Sequence, residues 1–285
     1  MNTLLFNPPL LPSLTFLYFV TSCLVGVFLS FIFAYPGYLK RSLDFSGLIG
    51  ALAVGTLIFQ TVGLGGFIPL ILFFASSSIL SGVGKKRKAS INKKNSEGSR
   101  RNIRQVLANS GPALIAFILY GITGHIGFLT AGTAALSGAA ADTWASEGGV
   151  LFDAPTYLVL GLKPVEQGAS GGVSIPGTLL SLGGAFFVSL VSLFLLPYPD
   201  SINPFFILIM TTLLGFFCSV LDSILGASVQ GIYLFKGKHT ERVFDPTGRR
   251  NEKIRGYSSI NNSGVNFISG FTVLIIAIII FLNLL

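Results

Sequence analysis

The sequence predicts an all-α protein, a polytopic membrane helix bundle with about eight transmembrane helices, and three observations predict it. Of 285 residues, 51% are hydrophobic and 11% charged, with a mean hydropathy of +0.75, whereas a soluble domain carries roughly a quarter charged residues. Apolar runs near the roughly 20 residues that cross a bilayer recur along the chain. The 19 Lys and Arg residues all fall in alternate connections between those runs.

The runs cover 13 to 33, 43 to 61, 64 to 82, 106 to 123, 125 to 141, 174 to 196, 203 to 221 and 264 to 283. The first lacks a basic leader and is long for a signal peptide, so it reads as a span. The fifth and seventh are the least apolar at their ends, where Gly, Ser and an acid dilute them. Lys40 and Arg41 follow the first run, nine basic residues lie from Lys85 to Arg104, Lys163 follows the fifth, and seven lie from Lys236 to Arg255. By the positive-inside rule these connections face the cytoplasm and both termini lie on the other side. The expected organisation is one integral membrane domain over 1–285, with cytoplasmic loops at 83–105 and 231–263, in the cell membrane if the source is prokaryotic. Cys23 and Cys218 fall inside predicted helices and form no disulfide framework.

A net charge of +8 in loops beside a bilayer favours anionic lipid headgroups or phosphorylated substrates over nucleic acid. The run Lys85 to Lys94 reads as a topogenic charge cluster. Gly98-Ser-Arg100-Arg101-Asn102, abutting a helix start, reads instead as paired guanidinium forks for phosphate oxygens.

Two acids interrupt apolar surroundings. Asp142 opens Asp142-Thr-Trp-Ala-Ser146-Glu147-Gly148-Gly149, and Asp222 sits in Ser219-Val-Leu-Asp222-Ser-Ile-Leu-Gly226. An acid within hydrocarbon costs roughly several kcal/mol, so each is a candidate site residue. On a helix Asp142 and Ser146 share a face, while Glu147 is turned away by about 140°. Gly148-Gly149 is expected to unwind the chain and swing Glu147 toward Asp142. Clustered carboxylates suit Mg2+, which takes one or two and completes its shell with water and phosphate oxygens. The alternative is that Asp142 caps a helix and Glu147 is solvated. Asp222 is read as a third ligand, or as part of a small-residue packing seam. Gly168-Ala-Ser-Gly171-Gly172-Val-Ser174 opens the sixth run as an anion-binding turn or as a plain N-cap. Asn262 and Asn266 lead the last run as caps or as ligands to sugar, base or phosphate.

These residues carry a resemblance. Arg41-Ser-Leu-Asp44-Phe-Ser-Gly47, Ser76-Ser-Ser78, Arg101-Asn102, Asp142-Thr-Trp-Ala-Ser-Glu147, Gly171-Gly172-Val-Ser174, Val220-Leu-Asp222-Ser-Ile-Leu-Gly226 and Asn261-Asn262 with Val265-Asn266 resemble, in order, the DUF92 family of membrane proteins. That family includes animal transmembrane protein 19 and a plant phytyl-phosphate kinase. Asp-Thr-x-Ala-Ser is also similar to the cytidine-nucleotide motif of dolichol and phytol kinases. Ala141, Gly148 and Ala169-Ser170 depart from the family's usual residues. The resemblance implies a lipid monophosphate kinase that passes a phosphoryl group from CTP or another NTP to an isoprenoid (prenyl or phytyl) monophosphate. It implies Mg2+ and donor phosphates at Asp142, Glu147 and Asp222, with charge neutralised by Arg100 and Arg101. Asn102, Ser146, Gly171, Gly172, Ser174, Asn262 and Asn266 would hold nucleotide or phosphate. The rival class is a transporter or flippase of a phosphorylated lipid, or an ion-coupled carrier, in which broken helices bind cations at mid-membrane.

Overall fold

The computed structural model describes residues 12–84, 87–88, 100–235 and 237–285. Eight long helices account for most of them: α1 (Pro12–Leu39), α2 (Phe45–Val62), α3 (Leu64–Gly82), α4 (Ile103–Thr123), α5 (Ile126–Gly149), α6 (Ile175–Leu195), α7 (Pro204–Ser228) and α8 (Asn262–Leu284). Seven are long and apolar enough to cross a membrane, and α5 is the exception. The protein is therefore an integral membrane helix bundle.

Helix α5 is the centre of the bundle. It packs on α3, α4, α6, α7 and α8. Leu129, Ala131, Ala134, Leu136, Ala140 and Ala141 on it are buried. Small residues let neighbouring backbones approach and hydroxyls bond across helices. Ser137 Oγ lies 2.9 Å from Ser189 Oγ of α6. Because other helices surround it, α5 is shielded from lipid without being very hydrophobic. Helix α1 lies at the edge, packed chiefly on α2, with only 11% of its spanning window buried.

Side-chain caps set several helix starts. Asp44 accepts from Gly47 N, Asn102 from Gln105 N in a capping box, Ser174 from Gly177 N, Asn203 from Phe205 N and Asn261 from Gly264 N. Pro204 opens α7 and Pro176 lies in the first turn of α6, where a missing N–H costs nothing. His125 Nδ1 caps α5 by accepting from Gly127 N at 3.1 Å.

The connections add two small antiparallel sheets that the all-helical expectation did not include. Between α5 and α6, β1 (Thr156–Leu158) pairs with β2 (Pro164–Val165) and β3 (Gly172–Val173) in the order β2-β1-β3. Between α7 and α8, β4 (Ile232–Phe235) pairs with β5 (Lys238–Thr240) and β6 (Glu252–Arg255) in the order β5-β4-β6, with a register shift between Ile232 and Tyr233.

Two helix boundaries correct the sequence reading in ways that matter for function. Helix α5 runs on to Gly149, and α7 runs on to Ser228, so Asp142, Glu147 and Asp222 all sit on continuous helix. Gly148 and Gly149 do not unwind the chain. A Cβ on Gly148 would stand 2.6 Å from Leu180 Cδ1, and one on Gly149 would stand 3.0 Å from Gly177 Cα. These glycines admit α6 to the side of α5 and provide no hinge.

Candidate functional site

One end of the bundle gathers the C-terminal turns of α3, α5 and α7 and the N-terminal turns of α4, α6 and α8 around a cavity of about 1070 Å3. The described basic residues Lys40, Arg41, Lys88, Arg101 and Arg242 line it, so it lies at the end that carries the basic connections.

Asp142 and Asp222 meet in this cavity, close enough for each carboxyl group to act on the other. Each lies six or seven residues from its helix end, which places the pair roughly 10 Å inside the bundle at 1.5 Å per residue. Around them stand amides and a hydroxyl. As placed, Asn266 Nδ2 donates to Asn109 Oδ1 at 2.9 Å and to Asp142 Oδ2 at 3.3 Å. With its amide turned over, it donates to Asp222 Oδ2 at 3.3 Å and to the Asn262 carbonyl at 2.7 Å. Either orientation places an N–H on one of the carboxylates. Ser269 Oγ donates to Asp222 Oδ2 at 3.2 Å. Among the described residues, neither acid has a cationic partner. Two carboxylates this close repel unless a proton or a cation lies between them.

Glu147 does not join that pair. On unbroken helix it stays rotated from Asp142, and its Oε2 accepts from Lys88 Nζ at 2.7 Å. Lys88 is buried, 4% exposed, and also donates to the Leu80 carbonyl at 2.5 Å. The expected set of three carboxylates around one metal is therefore not brought together. Among the described residues, no group of three His, Cys, Asp or Glu stands close enough to hold an ion.

The remaining expected site residues divide. Arg101 lines the cavity with its guanidinium 6.0 Å from the centre of the Phe74 ring, and its backbone is fixed by Arg101 N to Ser42 O and Asp44 N to Arg101 O. Burial pushes the Arg101 guanidinium below its ordinary value, opposed by the charge of Glu147, and the group stays charged. Arg100 is exposed and is not among the cavity-lining residues. Asn102 is not among them either, because its amide is committed to capping α4. Ser146, Gly171, Gly172, Ser174, Asn262 and Asn266 all line the cavity, although the Ser174 hydroxyl also caps α6. Gly98, Ser99 and most of the run Lys85 to Lys94 lie outside the described residues.

The glycine turn is built for close approach. Gly171 has φ +77, and a Cβ there would stand 2.5 Å from Ala227 N. Ser170 Oγ donates to Gln230 Oε1 at 2.6 Å, and Arg255 Nη2 donates to the Ser170 carbonyl at 3.3 Å and to the Gly226 carbonyl at 3.1 Å. The turn is thus bolted to the end of α7, beside Asp222. In the Asp142 segment, Trp144 is structural: its Nε1 donates to Ser76 Oγ at 3.1 Å, and its ring stacks on Phe187 at 5.5 Å.

Sequence reasoning missed Lys88, Asn109 and Ser269. Asn109 carried a signal, an amide inside the apolar run after Arg104. Lys88 carried none that set it apart from its basic neighbours.

A family model described as integral membrane protein DUF92 matches residues 28–274. The chain belongs to the DUF92 family. It is 35% identical to Protein PGR of Arabidopsis thaliana over 269 residues, covering 86% of this chain and 91% of that protein. Similarity at 28% identity extends to an uncharacterized membrane protein of Methanocaldococcus jannaschii, covering 72% of this chain and 82% of that one. Protein VTE6, chloroplastic, of Arabidopsis thaliana is 29% identical over 166 residues, covering 55% of this chain and 49% of that protein. No solved structure matches. Within this DUF92 member, the segments matched in the sequence meet in two places. Asp142, Asp222, Gly171-Gly172 and Asn262 with Asn266 line the cavity, whereas Asp44 and Gly47 meet the Arg101 carbonyl at its edge and Ser46 Oγ accepts from Ile103 N beside it.

Proposed function

We propose that this DUF92 protein is a lipid monophosphate kinase. It transfers the terminal phosphoryl group of CTP or another NTP to a prenyl or phytyl monophosphate, giving the lipid diphosphate and the nucleoside diphosphate. The observation that carries this reading is the Asp142–Asp222 pair, free of cationic partners among the described residues, at the floor of a cavity walled by basic side chains and a glycine turn. The resemblance to plant phytyl-phosphate kinase supplies the substrate class.

The donor set fits Mg2+: two carboxylates, oriented by an amide N–H and a hydroxyl, supply oxygen ligands beside space for water and phosphate oxygens. Asp142 and Asp222 would hold the ion, and bound there it would neutralise phosphate charge. The chain's own residues do the rest. The N-termini of α4, α6 and α8 converge on the cavity, and their helix dipoles favour anions. Arg101 presents a guanidinium to the moving phosphoryl group, and the Gly171-Gly172 turn lets donor phosphates approach backbone. Asn266 and Ser269 keep the acids oriented. The acceptor's phosphate oxygen, already ionised, attacks the terminal phosphorus while the bond to the bridging oxygen of the donor breaks, so no strong general base is required. Catalysis then rests on positioning and charge neutralisation.

The test is purified protein in detergent with Mg2+, radiolabelled CTP or ATP, and phytyl or prenyl monophosphates. Labelled diphosphate is the expected product. Absence of diphosphate with every donor, together with substrate movement in reconstituted vesicles abolished by Asp142→Asn, would overturn the reading in favour of a carrier.

A further inference from the structure

A second, apolar slot adjoins the polar cavity beneath α1. Ala34 of α1, Ala51 and Val54 of α2, and Leu70 and Phe74 of α3 line it. At its inner end it shares Arg101, Gln105 and Asn109 with the polar cavity, so one guanidinium serves both spaces. Arg101 has no carboxylate partner there among the described residues. The slot is narrow, with a free volume of about 50 Å3 against about 1070 Å3 for the polar cavity. It therefore suits one hydrocarbon chain and excludes a ring or a nucleotide. Its outer wall belongs to α1, the helix with the fewest buried residues in its spanning window, so small movements of that wall are inexpensive. Ser30 Oγ, on the same wall, is buried without a hydrogen-bond partner.

We propose that this slot seats the first isoprenoid units of the acceptor, with the acceptor phosphate held at Arg101 on the boundary between the two cavities. The proposal rests on the kinase reading and adds to it where the lipid binds and how it is told from a water-soluble phosphate. The apolar walls bind the chain, the guanidinium binds the head, and only a molecule with both spans the junction. Its phosphate then projects into the polar cavity toward the donor.

Binding of radiolabelled phytyl monophosphate, without nucleotide, and its conversion are compared in wild type, Ala51→Leu and Ala34→Leu, which fill the slot from α2 and from α1. Each is expected to weaken binding of the long-chain phosphate about tenfold, the scale of one or two buried methylenes lost. Inorganic phosphate and a fluorescent nucleotide, which carry no isoprenoid chain, should bind as they do to wild type. A phytyl monophosphate with a diazirine on its first isoprene unit gives a readout in wild type that does not depend on the variants folding. Labelling should fall within 45–62 and 64–82 and be competed by unlabelled phytyl monophosphate but not by phytol. Wild-type turnover with labelling elsewhere, or with slot variants that bind long chains normally, would overturn the slot alone. A wild type that neither binds nor converts any lipid phosphate would overturn the kinase reading and the slot with it.

Discussion

Asp142 and Glu147 lie five residues apart on one helix and are treated in opposite ways. Glu147 is matched by the buried ammonium of Lys88 at 2.7 Å, whereas Asp142 faces another acid, two amides and a hydroxyl network. A carboxylate with its own cation is electrically finished. A pair of carboxylates with only neutral donors is not, and it retains capacity for a divalent cation or a proton. The difference divides the cavity into a functional floor at Asp142 and Asp222 and a structural wall at Glu147.

The largest expected effect breaks the floor. Asp142→Asn and Asp222→Asn should each lower diphosphate formation at least about 100-fold, the scale seen when a preorganised charge-stabilising group is removed. Titration with Mg2+ checks the assignment: each variant should need far more metal for half-maximal turnover, and excess metal should rescue part of the rate. Unchanged metal dependence in both would remove the floor from the mechanism.

Glu147→Gln probes the wall and should behave differently. Breaking one side of a buried pair leaves an uncompensated charge, and with Glu147 partly exposed the cost is about 2 kcal/mol. Thermal unfolding in detergent should fall accordingly, with Mg2+ dependence retained. Lys88→Met combined with Glu147→Gln should recover most of the loss, because the two substitutions remove one interaction. A metal dependence that shifts as strongly in Glu147→Gln as in Asp142→Asn would return Glu147 to the floor.

Legibility from sequence follows the same division. The spans were readable because bilayer thickness imposes a length and hydropathy on each helix, and Asp142 and Asp222 stood out against that background. Helix α5 was underestimated beyond residue 141 because its last turns are polar and glycine-rich, and their helicity depends on α6 packing onto Gly148 and Gly149. The Lys88–Glu147 pair joins residues 59 apart, and spacing along the chain held no trace of it. Asn102 was read as a phosphate ligand although Gln105, three residues on, completes a capping box. In that case a local motif was present and a functional reading displaced it.

Gly148 tests whether the helix is continuous for the reason given. Gly148→Val would drive its side chain into Leu180 and should cost about 1 to 2 kcal/mol by overpacking. Leu180→Ala in the same chain should relieve part of that loss. A hinge would respond otherwise: turnover would collapse with stability unchanged, and the second substitution would not help.

The smallest effect comes from a third treatment of an acid. Among the described residues Asp44 forms no ion pair, Arg100 acting on it only as a minor, more distant charge. Its Oδ1 accepts from Gly47 N and from Ser46 Oγ, each at 2.7 Å, and these bonds hold its carboxyl below the usual carboxylate value. A group with a depressed folded pKa contributes stability above its unfolded pKa, and that contribution fades as pH falls through the folded value. Asp44→Ala should therefore cost about 1 kcal/mol near neutrality, the usual scale for a lost N-cap, and less in acid, so the gap between variant and wild type narrows on acidification. Because this cap frames the backbone that carries Arg101, the variant should also raise the Michaelis constant for the lipid phosphate modestly while leaving Mg2+ dependence alone. That combination separates an acid that shapes the cavity edge from the pair at its floor: the same residue type gives a cap, an ion pair or an open ligand set according to whether N–H groups, an ammonium or another carboxylate stands opposite.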